Sequence, residues 1–477
     1  MSNLNWDILY LIFEELKDDG NALFSCLLVN KNWFNVIIPI LWKNPWKYLK
    51  GKSILLKVII SHLSDESRNN ITDQNIFVLT NLYQKPFFEY ISFCRHLNFN
   101  AIIDMLYSIF TSNTMPIILK EVINLFINEN MKFTHLYLPN QFDYKIHLIS
   151  GFKYCFLELE FLQYDLYHNN QDVLEELAKL SKSIKNLEIR SHHNNDDTRM
   201  SGIIKLIEAQ KELRYLSYKN CDKLLRKSIE ESLIKHADTL HYLKIDNEPI
   251  TKFLSYLVNL VSLELDGPGF SIHWKLLEDV SLPHLKLLKA KEICSKHLEK
   301  LIESTNGKLN EVSIHSFRYY DSNNDEIIQT IIKNCPNLKY LMLMLKNKDI
   351  IKFEELLTNC QYLNGLNLVM NRFDLKFDWN KFFEILTKSS PIGLFKFKFY
   401  FCRYRTLFSL ESMNLFFDKW KGRRPMLLQT LPIYDYLGFK KYFDLIEKYK
   451  AEGVVKRYEN VTYGNTYETF EWIKKRT

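Results

Sequence analysis

A short apolar pattern recurs along most of this chain and restricts its fold more than any other feature. The pattern is apolar-x-x-apolar-x-apolar. With 47% apolar residues, chance alone places it at roughly one position in ten, so the spacing must carry the argument. The middle residues of successive copies are separated by 29, 27, 20, 25, 24, 29 and 25 residues. These middle residues are Leu187, Leu216, Leu243, Leu263, Leu288, Val312, Leu341 and Leu366.

Stretches with helical periodicity lie between these copies. Apolar residues fall at three- and four-residue steps in 172–180, 202–210, 326–335 and 353–360, as on a helix with one buried face. The unit is therefore a short strand followed by a helix, and one unit cannot bury both elements, so neighbours must stack. We predict an α/β fold in which a curved parallel sheet lies inside and helices lie outside. Looser copies centred on Leu97, Leu136, Leu157 and Phe395 extend the array to about a dozen units.

Three of these units carry a family resemblance. NCPNLKYLMLML (334–345), NCQYLNGLNLVM (359–370) and LRYLSYKNC (213–221) resemble the cysteine-containing subclass of leucine-rich repeats, which often follows an F-box. The alternative is an open, doubly wound α/β sheet. That fold needs glycine-rich turns after its strands, whereas this chain has 13 glycines and no phosphate-binding loop.

Motifs that would indicate an enzyme were sought without success. The chain contains no G-x-S-x-G, no G-x-x-x-x-G-K-[ST], no H-E-x-x-H and no G-x-G-x-x-G. The segment HHNNDD (192–197) has side chains that can bind metals, but consecutive residues in a polar turn need distant partners to form a site. None of the eight cysteines lies within four residues of another, which excludes C-x-x-C zinc spacing. We predict a protein that is not an enzyme and has no cofactor or metal.

Charge and hydropathy bear on location and on nucleic-acid binding. The first twenty residues are acidic and lack a basic segment, so they do not resemble a secretory signal, and no apolar run is long enough to span a membrane. We therefore expect a cytoplasmic or nuclear protein. Residues 391–477 hold 17 Lys and Arg against 9 Asp and Glu. A nucleic-acid site near Lys421, Arg423 and Arg424 is the weaker alternative, because those charges alternate with apolar and acidic residues.

The first 42 residues form a separate, strongly apolar segment. The spacing of apolar residues predicts three short helices, at about 4–16, 21–29 and 31–41. A segment of about 40 residues rarely folds stably alone, so a partner or the following domain should complete its apolar faces.

This segment resembles an F-box. The elements that carry the resemblance are LNWDILYLIFEEL (4–16), ALFSCLLVNKNW (22–33) and LW (41–42), while Asn5 departs from the proline that the family usually has there. The resemblance implies docking on the Skp adaptor and, through it, on cullin. By matching positions, it implies that nine residues form the adaptor interface or the core behind it. They are Leu4, Ile8, Leu9, Ile12, Leu16, Val29, Lys31, Trp33 and Trp42.

A second surface follows from the alternation of side chains along each strand. Residues that flank the buried anchors should share one face of the sheet, which is mixed in charge at first and becomes apolar later. We expect an exposed apolar patch between lysines, suited to an acidic segment of an unknown protein substrate. The tentative substrate residues are Lys289, Lys291, His315, Met342, Met344 and Val369.

The predicted organisation is an all-α F-box at 1–45, a helical linker at 46–92, a leucine-rich-repeat-like solenoid at 93–400 and an α/β cap at 401–477. The predicted function is that of the substrate-recognition subunit of a Skp/cullin/F-box ubiquitin ligase. The alternative function is a leucine-rich-repeat scaffold for protein–protein interaction outside any ligase.

Overall fold

Strands and helices alternate through both halves of the chain. The computed structural model describes residues 4–48, 51–72, 86–111, 113–139, 142, 144–166, 171–191, 201–267, 274–315, 324–370, 377–401, 409–431 and 439–460. They belong to two units, Met1–Lys235 and His236–Thr477. Each unit is considered by itself.

The first unit contains parallel strands that pair in sequence order. The strands are β1 (His96–Asn98), β2 (His135–Leu138), β3 (Phe161–Leu166), β4 (Asn186–Ser191) and β5 (Tyr215–Lys219). Their buried anchors stand opposite one another, because Leu97 pairs with Leu136, Leu136 with Leu162, Leu162 with Leu187 and Leu187 with Leu216. All of these leucines are fully buried.

Helices precede and connect these strands. Three of them, α1 (Trp6–Glu15), α2 (Gly20–Cys26) and α3 (Lys31–Lys43), lie at the N-terminus, followed by α4 (Lys52–Ser61) and α5 (Asp65–Thr72). Between and after the strands lie α6 (Phe99–Tyr107), α7 (Met115–Phe126), α8 (Phe152–Cys155), α9 (Gln171–Leu180), α10 (Ser201–Ala209) and α11 (Lys223–Leu233).

The second unit repeats the same arrangement over a longer stretch. Its parallel strands are β6 (Tyr242–Ile245), β7 (Ser262–Asp266), β8 (Leu287–Lys291), β9 (Glu311–His315), β10 (Tyr340–Leu345), β11 (Gly365–Met370), β12 (Lys396–Phe401), β13 (Met426–Leu431) and β14 (Val455–Asn460). Its α-helices are α12 (Ser295–Glu303), α13 (Asn324–Asn334), α14 (Ile350–Asn359), α15 (Trp379–Ser389), α16 (Leu410–Trp420) and α17 (Phe439–Ala451). Short 3-10 helices, Phe253–Tyr256 and Lys275–Asp279, stand where β6 and β7 are followed by shorter connections.

One backbone interaction recurs where successive strands begin. The carbonyl oxygen of Lys286 accepts hydrogen bonds from the amides of Asn310 and Glu311, and the carbonyl oxygen of Asn310 accepts from Lys339 and Tyr340. The same doubled acceptance occurs at Arg95, Thr134, Glu160 and Lys185 in the first unit and at His241, Val261, Lys339 and Asn364 in the second. Each strand therefore starts at a position that the preceding strand fixes.

The predicted fold class, α/β with parallel strands and intervening helices, is confirmed. All eight anchors from Leu187 to Leu366 lie in strands at matching register positions within their units. Two of the looser copies were placed wrongly. Leu157 follows α8, and the anchor of that strand is Leu162. The anchor near residue 395 is Phe397, which pairs with Leu366.

The repeat pattern continues beyond residue 400. We predicted an α/β cap at 401–477, and α16, β13, α17 and β14 do alternate there. However, β13 pairs in parallel with β12, and β14 with β13, so these elements add two more units of the same kind. The predicted final helix lies outside the described residues.

The N-terminal segment forms the three helices that the sequence predicts, with boundaries within two residues for α2 and α3. The side chain of Asp19 accepts a hydrogen bond from the Ala22 amide at 3.0 Å, and that of Asn30 accepts from the Trp33 amide at 2.9 Å, so both helices have polar caps. The predicted linker at 46–92 is helical in α4 and α5, and residues 73–85 lie outside the described part.

Candidate partner-binding surface

Helix α1 buries one narrow face and exposes apolar side chains on the rest. Leu9 and Phe13 enter a core that includes Leu23, Ile37 and Leu41 of α2 and α3, and the Phe13 ring meets Trp33 edge-on at 5.1 Å. On one flank of this core face, Leu4, Ile8, Leu11 and Ile12 are exposed. Their spacing of three and four residues places them on one side of the helix. We call these four residues the α1 stripe.

Apolar exposure continues at the turn between α2 and α3. Leu28 is 89% exposed and Val29 is 55% exposed, and the exposed Lys31 follows them at the start of α3. In the described part of the chain, nine of the 24 large apolar side chains that are exposed lie in residues 4–29. Such a concentration is unusual for a surface that meets only water.

The nine residues predicted for adaptor binding divide into two groups. Leu4, Ile8, Ile12, Val29 and Lys31 are exposed. Leu9 is buried, and Leu16, Trp33 and Trp42 pack half-buried against the same core. The first group is therefore available to a partner, whereas the second supports the helices from behind.

Sequence reasoning missed several exposed residues of this surface. Leu11 belongs to the α1 stripe, Leu28 adjoins Val29, and Trp6 and Tyr10 are exposed on the other flank of α1. The helical period held the missing signal, because assigning Leu9 and Phe13 to the core places residues 4, 8, 11 and 12 together on one flank.

Asn5 stands at the N-cap of α1 but does not cap it with its side chain. Its carbonyl oxygen accepts the Leu9 amide at 3.1 Å, and its side chain makes no capping hydrogen bond. The expectation that asparagine would replace the usual proline by capping the helix is wrong. Asn5 is exposed, so its side chain remains available to contact a partner.

The three helices are attached to the first strand of the same unit. The amide of Arg95 donates to the Lys43 carbonyl at 3.0 Å, and the indole nitrogen of Trp46 donates to the His96 carbonyl. The ring of Trp42 lies 4.9 Å from that of Tyr90. These contacts join the end of α3 to β1.

The lysines of the predicted substrate surface are paired with neighbouring strands. The Lys289 ammonium lies 2.9 Å from the Glu264 carboxylate, which also contacts Lys244 at 2.7 Å, and Lys291 lies 3.0 Å from Asp266. Burial alone raises the pKa of Glu264, but Lys289 and Lys244 outweigh it, so the pKa lies below its ordinary 4.5. Because carboxylates balance these lysines, they do not create a strongly positive face.

The apolar part of that surface is not exposed as expected. Met342 is 3% exposed, Val369 is fully buried and His315 is 2% exposed, while Met344 is half-buried. Burial, with Lys291 nearby, lowers the pKa of His315 to about 4. These strand positions do alternate as predicted, but the face they share is covered here, so an exposed patch at Met342 and Val369 is wrong.

The basic cluster near the C-terminus is largely engaged within the protein. Lys421 contacts Asp418 at 2.8 Å and Glu452 at 2.9 Å. The Arg423 guanidinium donates to the carbonyls of Thr387, Ser390 and Pro391 and lies over the Trp420 ring at 4.2 Å. These contacts leave little free charge for a nucleic-acid backbone.

Metal binding and membrane insertion were also considered. In the part of the chain that the structure describes, no group of three or more His, Cys, Asp or Glu side chains could hold a metal ion, and 192–197 lies outside that part. None of the described helices combines the length and apolarity needed to cross a membrane.

Comparisons with known proteins give one structural likeness. No protein-family model matches the chain, and no curated protein matches it. The chain is similar to the leucine-rich repeat-containing protein LegL7 from Legionella pneumophila, at 13% identity and a TM-score of 0.38, over 63% of this chain and 90% of LegL7. A likeness at this level carries no functional argument.

Proposed function

We propose that this protein is the substrate-recognition subunit of a Skp/cullin/F-box ubiquitin ligase. It binds the Skp adaptor through the α1 stripe, Val29 and Lys31, and it binds a protein substrate through its strand–helix repeats. Other subunits supply the catalysis. The coarser part of this proposal, a repeat scaffold for protein–protein interaction, accords with the repeated strand–helix fold.

The exposure of the α1 stripe is the observation that carries the proposal. Four large aliphatic side chains on one flank of a ten-residue helix remain in water, although burying each would stabilise the protein by about 1.5–3 kcal/mol. A partner that covers them recovers this free energy. The helices that bear them are those that resemble an F-box in sequence, which favours an adaptor of the Skp class.

Substrate binding is proposed for the strand face of the second unit. Within the tentative set, the partly exposed residues Lys289, Lys291 and Met344 would make direct contacts. The buried Met342, Val369 and His315 would support them. Because Lys289 and Lys291 are paired with carboxylates, an acidic substrate segment would have to compete with Glu264 and Asp266.

The test is a pull-down of purified Skp adaptor by the full chain, beside an Ile8→Asp/Ile12→Asp variant. Both isoleucines are exposed, so the variant should fold. Placing two carboxylates in an apolar interface should weaken binding by at least about 100-fold. Leu9→Asp is unsuitable for this purpose, since Leu9 is part of the core.

A matched control is Ile351→Asp, which makes the same change at an exposed isoleucine of α14. Retention of the adaptor by this control and its loss in the α1 variant support the ligase proposal. If the folded wild-type chain does not bind the adaptor, the alternative of a scaffold outside any ligase takes over. Asn5, in place of the usual proline, favours that alternative because it supplies less apolar contact.

A further inference from the structure

A second apolar feature lies in the first unit, on elements other than α1. A cleft of about 470 Å³ opens between α2, α3, α4 and the 3-10 helices Pro45–Tyr48 and Tyr90–Phe93. Its lining is mostly aliphatic and aromatic and includes Phe24, Leu27, Trp42, Ile54, Val58 and Tyr90. No residue of α1 lines it, so it is separate from the α1 stripe.

The walls of the cleft are held by contacts within the protein. The Trp42 and Tyr90 rings lie 4.9 Å apart, and the Phe24 and Tyr48 rings lie 6.0 Å apart at nearly right angles. The Tyr48 hydroxyl donates to the Lys17 carbonyl. An occupant would therefore enter a cleft that already exists, which lowers the entropic cost of binding.

Apolar side chains at the rim favour a helix over a small ligand. Phe24 is 47% exposed and Ile54 is 67% exposed, although both line the cleft. A small molecule on the floor of the cleft would leave these outer surfaces in water. The apolar face of an amphipathic helix would cover both the floor and the rim, as helices do in other apolar grooves.

Charge at the rim indicates what should flank that apolar face. Ile54, Leu55 and Val58 of α4 line the cleft, and Lys52 and Lys57 each lie roughly 110° around the helix from the centre of this stripe, one on each side. Both lysines are exposed. Lys43 and Lys47, in contrast, contact Glu14 and Asp18. Among the described residues, Lys52 and Lys57 form no ion pair.

We propose that this cleft binds an amphipathic helix of a protein partner, with large apolar residues in the cleft and acidic residues beside Lys52 and Lys57. The site does not depend on the proposed function, because it uses none of the α1 stripe. The two surfaces could bind different segments at the same time.

The test is calorimetric titration of the full chain with designed peptides of about 18 residues, long enough to be helical. One peptide has leucines at three- and four-residue steps and glutamates along both edges of this apolar face, and the other replaces the glutamates by lysines. We expect the acidic peptide to bind at least about 10-fold more tightly at low salt. Equal affinity of the two peptides, or no binding of either, would overturn the proposal.

Variants at exposed positions locate the binding without risk to the core. Ile54→Asp should abolish binding of the acidic peptide, and Lys52→Glu/Lys57→Glu should reverse the preference between the peptides. Ile8→Asp, on the α1 stripe, should leave both affinities unchanged. Binding that survives Ile54→Asp would show that the cleft is not the site, and binding of palmitate without peptide binding would assign it to a small apolar ligand.

Discussion

The imidazole rings of His96 and His135 are stacked, with 3.7 Å between their centroids, at paired positions of β1 and β2. The ring of Phe161 on β3 continues the stack, 5.3 Å from His135. Burial, together with His135, lowers the pKa of His96 to about 3, and burial also lowers the pKa of His135. The stack is therefore formed by neutral rings.

This stack predicts a loss of stability in mild acid. The pKa of His96 is lower in the folded state than its ordinary 6.5, so the unfolded chain binds the proton first. The full contribution of His96 is present above about pH 6.5 and is lost as the pH falls toward 3, by up to about 1.4 kcal/mol per pH unit. Urea denaturation between pH 7.5 and 5 should show this slope.

A variant pair separates the titration from the packing. His96→Gln should flatten the dependence of the unfolding free energy on pH, because it removes the titrating group. Phe161→Leu should lower that free energy by a similar amount at every pH, since it removes a ring that does not titrate. Identical slopes for His96→Gln and the wild-type protein would contradict this account.

Adjacent residues of α1 should respond oppositely to truncation. Leu9→Ala removes a side chain from the N-terminal core and should cost about 3 kcal/mol. Ile8→Ala removes one that is 47% exposed and should change stability by less than about 0.5 kcal/mol. Amide hydrogen exchange in α1–α3 measures both effects. Similar loss of protection in the two variants would mean that Ile8 also supports the core.

Met342 should behave as a core residue. Because it is 3% exposed, Met342→Asp buries a carboxylate without a partner and should lower the unfolding free energy by at least about 3 kcal/mol. Met342→Leu, which conserves volume, should cost less than about 1.5 kcal/mol. Thermal unfolding distinguishes the two. An Asp variant with unchanged stability would show that this strand face opens readily.

The carboxylate between two lysines should stabilise the second unit. Glu264→Gln leaves Lys244 and Lys289 side by side on neighbouring strands, and we expect a loss of about 1–2 kcal/mol. A suitable control is Asp279→Asn, which removes an exposed contact of 3.6 Å with Lys252 and should cost less than about 0.5 kcal/mol. Urea denaturation checks both. Added salt should narrow the difference between them.

The repeat could be read from the sequence because its apolar triad matches a strand physically. Leu187, Leu216 and the anchors after them alternate with residues of the opposite face, and each must be buried by its neighbours. Leu157 failed because a second triad, ending at Tyr164, starts two residues after it. The corrected spacing, 26 residues from Leu136 to Leu162 and 25 from Leu162 to Leu187, is more regular.

The last units were missed for a different reason. The intervals from Leu366 to Phe397 and from Phe397 to Leu428 are both 31 residues, longer than the range used to detect the repeat. The cover over Met342 and Val369 is likewise not contained in any local pattern, since alternation says which way a side chain points but not what lies above it. At the candidate site, periodicity identified Ile8 and Ile12, whereas separating them from the buried Leu9 required the packing of α3.

The doubled hydrogen bonds at the strand starts give each unit a direction of growth. In the second unit, the carbonyl of His241 is synthesised before the amides of Val261 and Ser262, which it accepts, and the same order holds at Val261, Lys286, Asn310, Lys339 and Asn364. During translation, every new repeat leaves the ribosome after its template has been made. A chain that folds while it is being synthesised can therefore add repeats one at a time, without waiting for any residue still to come.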